Sequence, residues 1–525
     1  MMKQYIQSNL LLAVVLLAVF LKGLVWAALV PIWHFPDEQA HFAQVSHFVE
    51  TGDMPPTGKF DLSKEILLSE RLLGTERDGA GNNKYTYHPE FNIEYSQDTT
   101  GVYEDQIAQM PHGYRKEMVR FESASYPPLY YWLGSLFYGL SYNGNLFDRV
   151  LAVRLFNVIL SVFYAVVCYM FFKELFPSWK IKALIATIVV VFHPMFSFVS
   201  AGINSDNLFN LLYLLGMYIG AKLLYRPLTL RYVLLMFFVF VLAVKTKPHG
   251  LLLLSVYSFP IIYKLLKKEL KLSYSAALVF GGTTVVSKVL ADIQAGRQVL
   301  PDASLIYLVS PNLSIVDHAL WSLKHTYREI LPWYWGVFRW LSLALPRDVN
   351  RVINRVLVIG AIALAIGIYK EIRKKEFKNL LPIAYLIYVS ASYFFILFLW
   401  DYLFTRSHGF SFGIQGRYYF PMIAAHIGLL MWGFFSVSSK KWYQRLVMIG
   451  SSLSMIVLSL IALYTVTVSY FGIDSIQTFF VRASQYKPLM FKSPWLESYT
   501  VAYFFVLVVL GLYLVQSIMK NHETH

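Results

Sequence analysis

Apolar runs long enough to cross a bilayer recur along the whole of this chain. About 20 apolar residues suffice to span the hydrocarbon core, and the first such run occupies residues 9–30 (NLLLAVVLLAVFLKGLVWAALV). A chain built this way folds as a bundle of membrane helices, because lipid offers no partner to an open backbone amide. Charge content agrees with this. Asp, Glu, Lys and Arg make up 15% of the 525 residues, against about 25% in soluble proteins. The first run ends at Val30-Pro31 without a small-residue cleavage site, so it is expected to be a retained span rather than a removed signal peptide.

The expected fold is all-α, a polytopic membrane bundle of about 12 spans forming one membrane domain over residues 1–525. The spans fall near 9–30, 150–172, 183–201, 205–222, 232–246, 248–264, 272–290, 352–370, 379–400, 417–437, 446–470 and 498–518. With the N-terminus in the cytoplasm, every inner loop is basic, as the positive-inside rule requires. Those loops carry Lys173, Lys180 and Lys182; Lys222, Arg226 and Arg231; Lys264 to Lys271; Lys370 to Lys378; Lys440, Lys441 and Arg445; and Lys520. The C-terminus then lies inside as well. This solution requires that 126–140 (YPPLYYWLGSLFYGL) not cross. Its Pro-Pro start and its tyrosines suit an interfacial helix on the outer face, with the rings at headgroup level. Outside lie a first loop of 31–149 with interfacial helices and a second long loop of 291–351. The net charge of +15 sits in loops between spans, which points to membrane lipids as partners and excludes nucleic acid. Cys168 is the one cysteine and lies in an apolar run, so it is read as packing, and a Cys-based metal site is excluded.

Four outer junctions collect polar residues that the helices themselves do not need. The first is Pro36-Asp37-Glu38-Gln39-Ala40-His41, at the mouth of the first span. Ionisable residues there are costly unless they face a cavity or a partner. Asp37 and His41 lie four apart, on one helix face; helix capping by Asp37 is the alternative. The second is Asn204-Ser205-Asp206, where Asp206 faces the same outer cavity or where Ser205 or Asn204 merely caps a helix. The third is Lys245-Thr246-Lys247-Pro248-His249. Outer lysines oppose the positive-inside rule, which suggests phosphate binding, with snorkelling as the bland reading. The fourth is Arg417-Tyr418, preceded by Arg406 and His408, where a guanidinium could hold a phosphate bidentately. The carboxylates leave room for a divalent metal, but no ligand spacing specifies one. There is no Gly-rich phosphate loop and no H-E-x-x-H helix.

At these residues the chain resembles the GT-C glycosyltransferases, multi-pass enzymes that use lipid-linked sugars. The opening, with Asp37-Glu38 and a helix running to Glu50-Thr51-Gly52, is similar to that of bacterial aminoarabinose and protein mannosyl transferases. PDEQAHF (36–42), SAGINSDNL (200–208), TKPHG (246–250), YWGVFRW (334–340) and QGRYYFP (415–421) resemble, more nearly, a bacterial family of predicted multi-pass membrane proteins allied to them. The resemblance covers residues 1 to about 425. It implies an inverting enzyme that moves a sugar from a polyprenyl-phosphate carrier to a cell-envelope acceptor (glycan, lipid or protein) on the outer membrane face. Asp37 matches the first-loop acidic residue and Asp206 the second-loop carboxylate, with Glu38 as a further catalytic candidate. His41, Lys245, Lys247, His249, Arg406, Arg417 and Tyr418 are the candidate substrate-binding residues. Pro127-Pro128 stands where the aminoarabinose transferases have Lys-Pro, so that lysine's role does not carry over. A transporter or lipid-carrier flippase using the same charges, or a polysaccharide polymerase or ligase, remains the alternative.

Overall fold

The computed structural model describes residues 2–55, 59–79, 81–122, 126–270 and 313–520. Among these, nine helices are long and apolar enough to cross a membrane. They are Leu10–Leu29, Leu146–Leu175, Ser205–Tyr225, Pro248–Leu266, Arg347–Arg373, Phe377–His408, Gly416–Val437, Lys441–Phe471 and Trp495–Lys520. Each coincides with an expected span. The protein is thus a polytopic all-α membrane protein. Among the described residues, strand is confined to two short antiparallel pairs, Leu62–Ser63 with Met118–Arg120 and Val337–Phe338 with Leu343–Ala344.

Three expected spans stand differently. The span at 272–290 lies outside the described residues, as does part of the loop at 291–351. The span at 232–246 is a helix, Leu230–Thr246, of only 17 residues. The run 183–201 is broken in two, Lys180–Val191 and Pro194–Val199, because Pro194 has no N–H to continue the ladder. The carbonyl of Val191 is left open by the break, and Lys22 of the first span reaches it with its Nζ. Lys22 also donates to Ser197 Oγ at 2.9 Å and is buried. A charged residue inside a span is thereby accounted for as the cap of a broken neighbour.

Leu146–Leu175 and Ser205–Tyr225 form the inner pair and are buried around most of their circumference. The outermost helices turn apolar side chains outward, among them Val358, Ile359 and Ile362 of Arg347–Arg373 and Phe505, Val508 and Leu512 of Trp495–Lys520. This is the inside-out distribution expected where lipid is the solvent.

The segment 126–140 contributes a 12-residue helix, Leu129–Leu140, too short to span. Three of its tyrosines are packed inward rather than presented as surface anchors. Tyr130, Tyr131 and Tyr138 are fully buried. Their hydroxyls meet Asn157 Oδ1 at 3.0 Å, His41 Nδ1 at 2.8 Å and Glu50 Oε1 at 2.9 Å. Buried hydroxyls need such partners, and His41 and Glu50 of the first loop and Asn157 of the span Leu146–Leu175 supply them. Trp132, Leu136 and Leu140, spaced one turn apart, form the exposed stripe instead. If this helix lies on the surface, a cysteine at the exposed Asn143, in a Cys168→Ser background, will react with a membrane-impermeant reagent from the same side as one at Asp98. Opposite-side labelling would mean that 126–140 crosses.

Candidate functional site: a basin of paired carboxylates and cations

The first span ends at Leu29, and a turn leads into the helix Glu38–Thr51. Arg154, buried in Leu146–Leu175, organises that turn. Its guanidinium donates to the carbonyls of Ala27 (2.7 Å), Val30 (2.7 Å) and Pro31 (2.9 Å). It also forks onto Glu38, with Nε to Oε1 at 2.8 Å and Nη2 to Oε2 at 2.6 Å. Glu38 in turn accepts from Trp33 N at 2.9 Å and is 0% exposed. The expectation of Glu38 as a catalytic carboxylate is therefore corrected: its oxygens are spent on the helix junction and do not reach a cavity.

Asp37, one residue earlier, is placed otherwise. It precedes the helix in a left-handed conformation (φ 57°, ψ 19°) and makes no side-chain cap. Such a conformation is rare outside glycine, and strained backbone of this kind concentrates at functional sites. The carboxylate accepts from Arg417 Nη2 at 2.7 Å and from Arg77 Nη1 at 3.2 Å, yet the side chain keeps 37% of its surface open. Arg77 is also paired with Glu122. Burial would raise the Asp37 pKa, but the Arg417 and Arg77 charges outweigh it and hold the carboxyl below its ordinary value. Nearby Glu70 is buried with both oxygens unpartnered. Burial, with Glu122 adding to it, pushes its pKa up to about 8, while Arg77 pairs with Glu122 and Asp37.

A cavity of about 200 Å³ joins Asp37 to Asp206, Lys247, His41, His249, Arg417 and Tyr418. Asp206 starts the helix Ser205–Tyr225, but Asn204 is the residue that caps it, accepting from Asp206 N at 2.9 Å. The Asp206 carboxylate is free to pair with Lys247. Lys247 is brought in by Pro248: the residue before a proline is pushed out of the helical region, and Lys247 is extended (φ −156°, ψ 141°). Lys245, two residues back on the helix, points to the exposed outside. Arg406 is also exposed, with its guanidinium over Tyr402, and neither residue lines this cavity. Of the expected substrate-binding residues, these two are the ones that the structure does not bring to this cavity. Arg417 is seated by Gly416, where a Cβ would come within 2.2 Å of Tyr334 N. His41 Nδ1 and the Tyr131 hydroxyl are hydrogen-bonded at 2.8 Å, and burial lowers the His41 pKa to about 4 despite the opposing Asp37 charge. Among the described residues, no group of three or more His, Cys, Asp or Glu side chains could hold a metal ion.

The sequence reading missed Arg77, Glu122 and Arg154 as members of this arrangement. Arg77 and Glu122 lie in irregular stretches of the first loop with no periodic signal. Arg154 is a lone charge near the start of a span, and that was the available clue.

The sequence pattern of a family described as "Predicted membrane protein (DUF2142)" matches residues 20–426. No curated protein matches the chain in sequence. Among solved structures, the Archaeoglobus fulgidus oligosaccharyltransferase in the apo form is similar at 12% identity and a TM-score of 0.45, over 89% of this chain and 57% of that one. ArnT from Cupriavidus metallidurans is similar at 12% identity in the apo state (TM-score 0.41, 96% of this chain and 74% of that one). It is also similar at 12% identity when bound to undecaprenyl phosphate (TM-score 0.38, 97% and 77%). The chain spans less than two thirds of the oligosaccharyltransferase's length.

Two outcomes follow from the geometry. Glu38→Gln leaves the Arg154 charge buried without its partner and costs about 3–5 kcal/mol, read as a lowered melting temperature in detergent. Asp37→Asn costs much less, because Arg77 keeps Glu122 and Arg417 borders a cavity. His41 gives a pH dependence. Its folded pKa is depressed, so stability is lost as pH falls from the ordinary 6.5 toward about 4, where the unfolded imidazole binds the proton and the folded one does not. His41→Gln flattens the melting temperature across that window.

Proposed function

This chain belongs to the DUF2142 family of predicted membrane proteins, and we propose that it is an inverting glycosyltransferase that draws its sugar from a polyprenyl-phosphate carrier. One observation carries the reading: a single cavity gathers two carboxylates, Asp37 and Asp206, each paired with a cation, Arg417 and Lys247, from distant parts of the chain. Arg417 and Lys247 supply the charge that a phosphate leaving group needs, and Asp37 supplies an exposed oxygen as general base. The resemblance at 36–42, 200–208, 246–250 and 415–421 supports the same assignment. The basic residues at the opposite helix ends, such as Lys173, Lys182, Lys222 and Lys374, support an extracytoplasmic site with both termini inside.

In the resting state the carboxylates occupy the cations where a phosphate would bind. An arriving lipid phosphate exchanges with Asp37 for Arg417 and with Asp206 for Lys247. That exchange frees Asp37 and relaxes the depression of its pKa, so the base becomes competent when the donor is present. The acceptor oxygen then bonds to the anomeric carbon as the carbon–oxygen bond to phosphate breaks. The electron pair leaves with the polyprenyl phosphate, and the hydroxyl proton passes to Asp37.

The test uses the purified full chain in proteoliposomes, with undecaprenyl phosphate as binding probe and undecaprenyl-phosphate-linked sugars as donors. Asp37→Asn is expected to abolish transfer while binding undecaprenyl phosphate more tightly, since a competitor for Arg417 is gone. Lys247→Ala and Arg417→Ala are expected to lose roughly tenfold or more in affinity, consistent with about 2–5 kcal/mol for a charge-pair partner. Arg417→Lys is also impaired, because a point charge cannot fork onto two oxygens, whereas Lys245→Ala is unaffected. Wild-type affinity in both Lys247→Ala and Arg417→Ala sinks the phosphate clamp and favours a transporter.

A further inference from the structure

Asp37 and Arg417 border a second cavity, of about 280 Å³, that meets the first at these two residues and Phe412. Its chemistry differs. In place of the lysine and second aspartate, it is lined by the rings of Tyr87, Trp333 and Trp340 and by Asn82, Gln415 and Glu329.

The backbone around it is unusual. Among the described residues, nine non-glycine residues have positive φ, and Asp37 (57°), Tyr87 (61°), Arg339 (49°), Trp340 (53°) and Leu341 (63°) all line this cavity. Three of these are consecutive. Each such residue costs of order 1–3 kcal/mol unless its surroundings over-determine it. Here they do. Trp340 Nε1 donates to Trp33 O at 2.9 Å, and Tyr87 N donates to Trp340 O at 3.1 Å. Arg339 donates to Ser469 O at 2.9 Å and to Asn92 Oδ1 at 2.9 Å. Strain held this firmly serves to fix the shape of the cavity wall.

We propose that this second cavity is a carbohydrate-binding subsite that presents an acceptor hydroxyl to Asp37. The inference rests on the transferase reading above and names its acceptor class. Flat rings stack on the C–H faces of a sugar, and amide and carboxylate side chains both match its hydroxyls, the amides as donor and acceptor at once. The direction of attack agrees as well. With the leaving phosphate held by Lys247 and Arg417 in the first cavity, an inverting displacement needs its nucleophile from another side, and the second cavity opens on the same carboxylate. Rigid walls suit the task, because a preorganised site avoids the entropy of ordering loops on binding.

The experiment titrates the full chain in nanodiscs with methyl hexopyranosides and small α- and β-linked disaccharides, following tryptophan fluorescence, with and without saturating undecaprenyl phosphate. At least one saccharide is expected to bind, and still to bind when undecaprenyl phosphate is present. Trp340→Ala, Asn82→Ala and Gln415→Ala are each expected to weaken it by about tenfold, the effect of losing one good contact. Asn82 and Gln415 keep the test valid if Trp340→Ala fails to fold. The inference is overturned if no saccharide binds, if Asn82→Ala and Gln415→Ala both bind like the wild type, if undecaprenyl phosphate competes with the sugar, or if a Ser/Thr-containing peptide binds where saccharides do not. Failure of the transferase reading is seen separately, as undecaprenyl phosphate affinity that does not depend on Lys247.

Discussion

The fork between Arg154 and Glu38 holds this site together. Two charges buried in a membrane bundle cost several kcal/mol each to desolvate, and the cost is offset only when every donor is satisfied in good geometry. Arg154 meets that condition. Its five N–H groups make five hydrogen bonds, two to Glu38 and three to the carbonyls of Ala27, Val30 and Pro31. A lysine has three donors on a point charge and could not do this. The consequence is geometric: the end of the first span and the start of the next helix are fixed to the inner helix. Gly202 lets the turn before Ser205–Tyr225 close against the same place, since a Cβ there would lie 2.3 Å from Phe35 Cγ. Asp37 is caught between these fixed points, which is what sustains its left-handed backbone and aims its carboxylate at the cavity.

Charge in this molecule thus divides by surroundings rather than by residue type. Arg154–Glu38 and Arg149–Glu65 are closed pairs, with all four side chains at most 4% exposed. Arg417–Asp37 and Lys247–Asp206 are open on the carboxylate side, at 37% and 21% exposed. A closed pair contributes architecture and resists exchange. An open pair can trade one anion for another at little cost, because the cation stays neutralised throughout. That contrast makes the open pairs the ones an incoming anion can displace, which is what the proposed mechanism asks of Asp37.

Much of the fold was legible because it follows from solvent. Long apolar runs had to be helices, and nine of the twelve expected spans are such helices. Pro194 marked a break that a hydropathy window smoothed over. The site was legible only where local rules act. Pro248 forces Lys247 out of the helix and so separates it from Lys245, a distinction that the backbone rule for pre-proline residues could have drawn. Asp37 and Glu38 could not be told apart in that way. They are adjacent and chemically alike, and only the distant Arg154 decides that Glu38 is consumed in the junction. Arg77 and Glu122 were illegible for the same reason: their role arises from pairing across irregular chain, where no period carries information.

The two cavities also differ in how their walls are made. The first draws Asp206, Lys247 and Arg417 from the ends of membrane helices, positions set by the bundle itself. The other draws Tyr87, Trp333, Trp340 and Gln415 from connecting segments, held by the Trp33–Trp340 and Tyr87–Trp340 contacts and by the Arg339 anchor. Loops tolerate change where helices do not. A change of side chain at Tyr87 or Gln415 would alter the lining of the second cavity without touching the Arg154 fork or the cations of the first. Under the proposed transferase reading, the leaving-group chemistry rests on the rigid frame and acceptor choice on the loops, with Asp37, Arg417 and Phe412 common to both cavities.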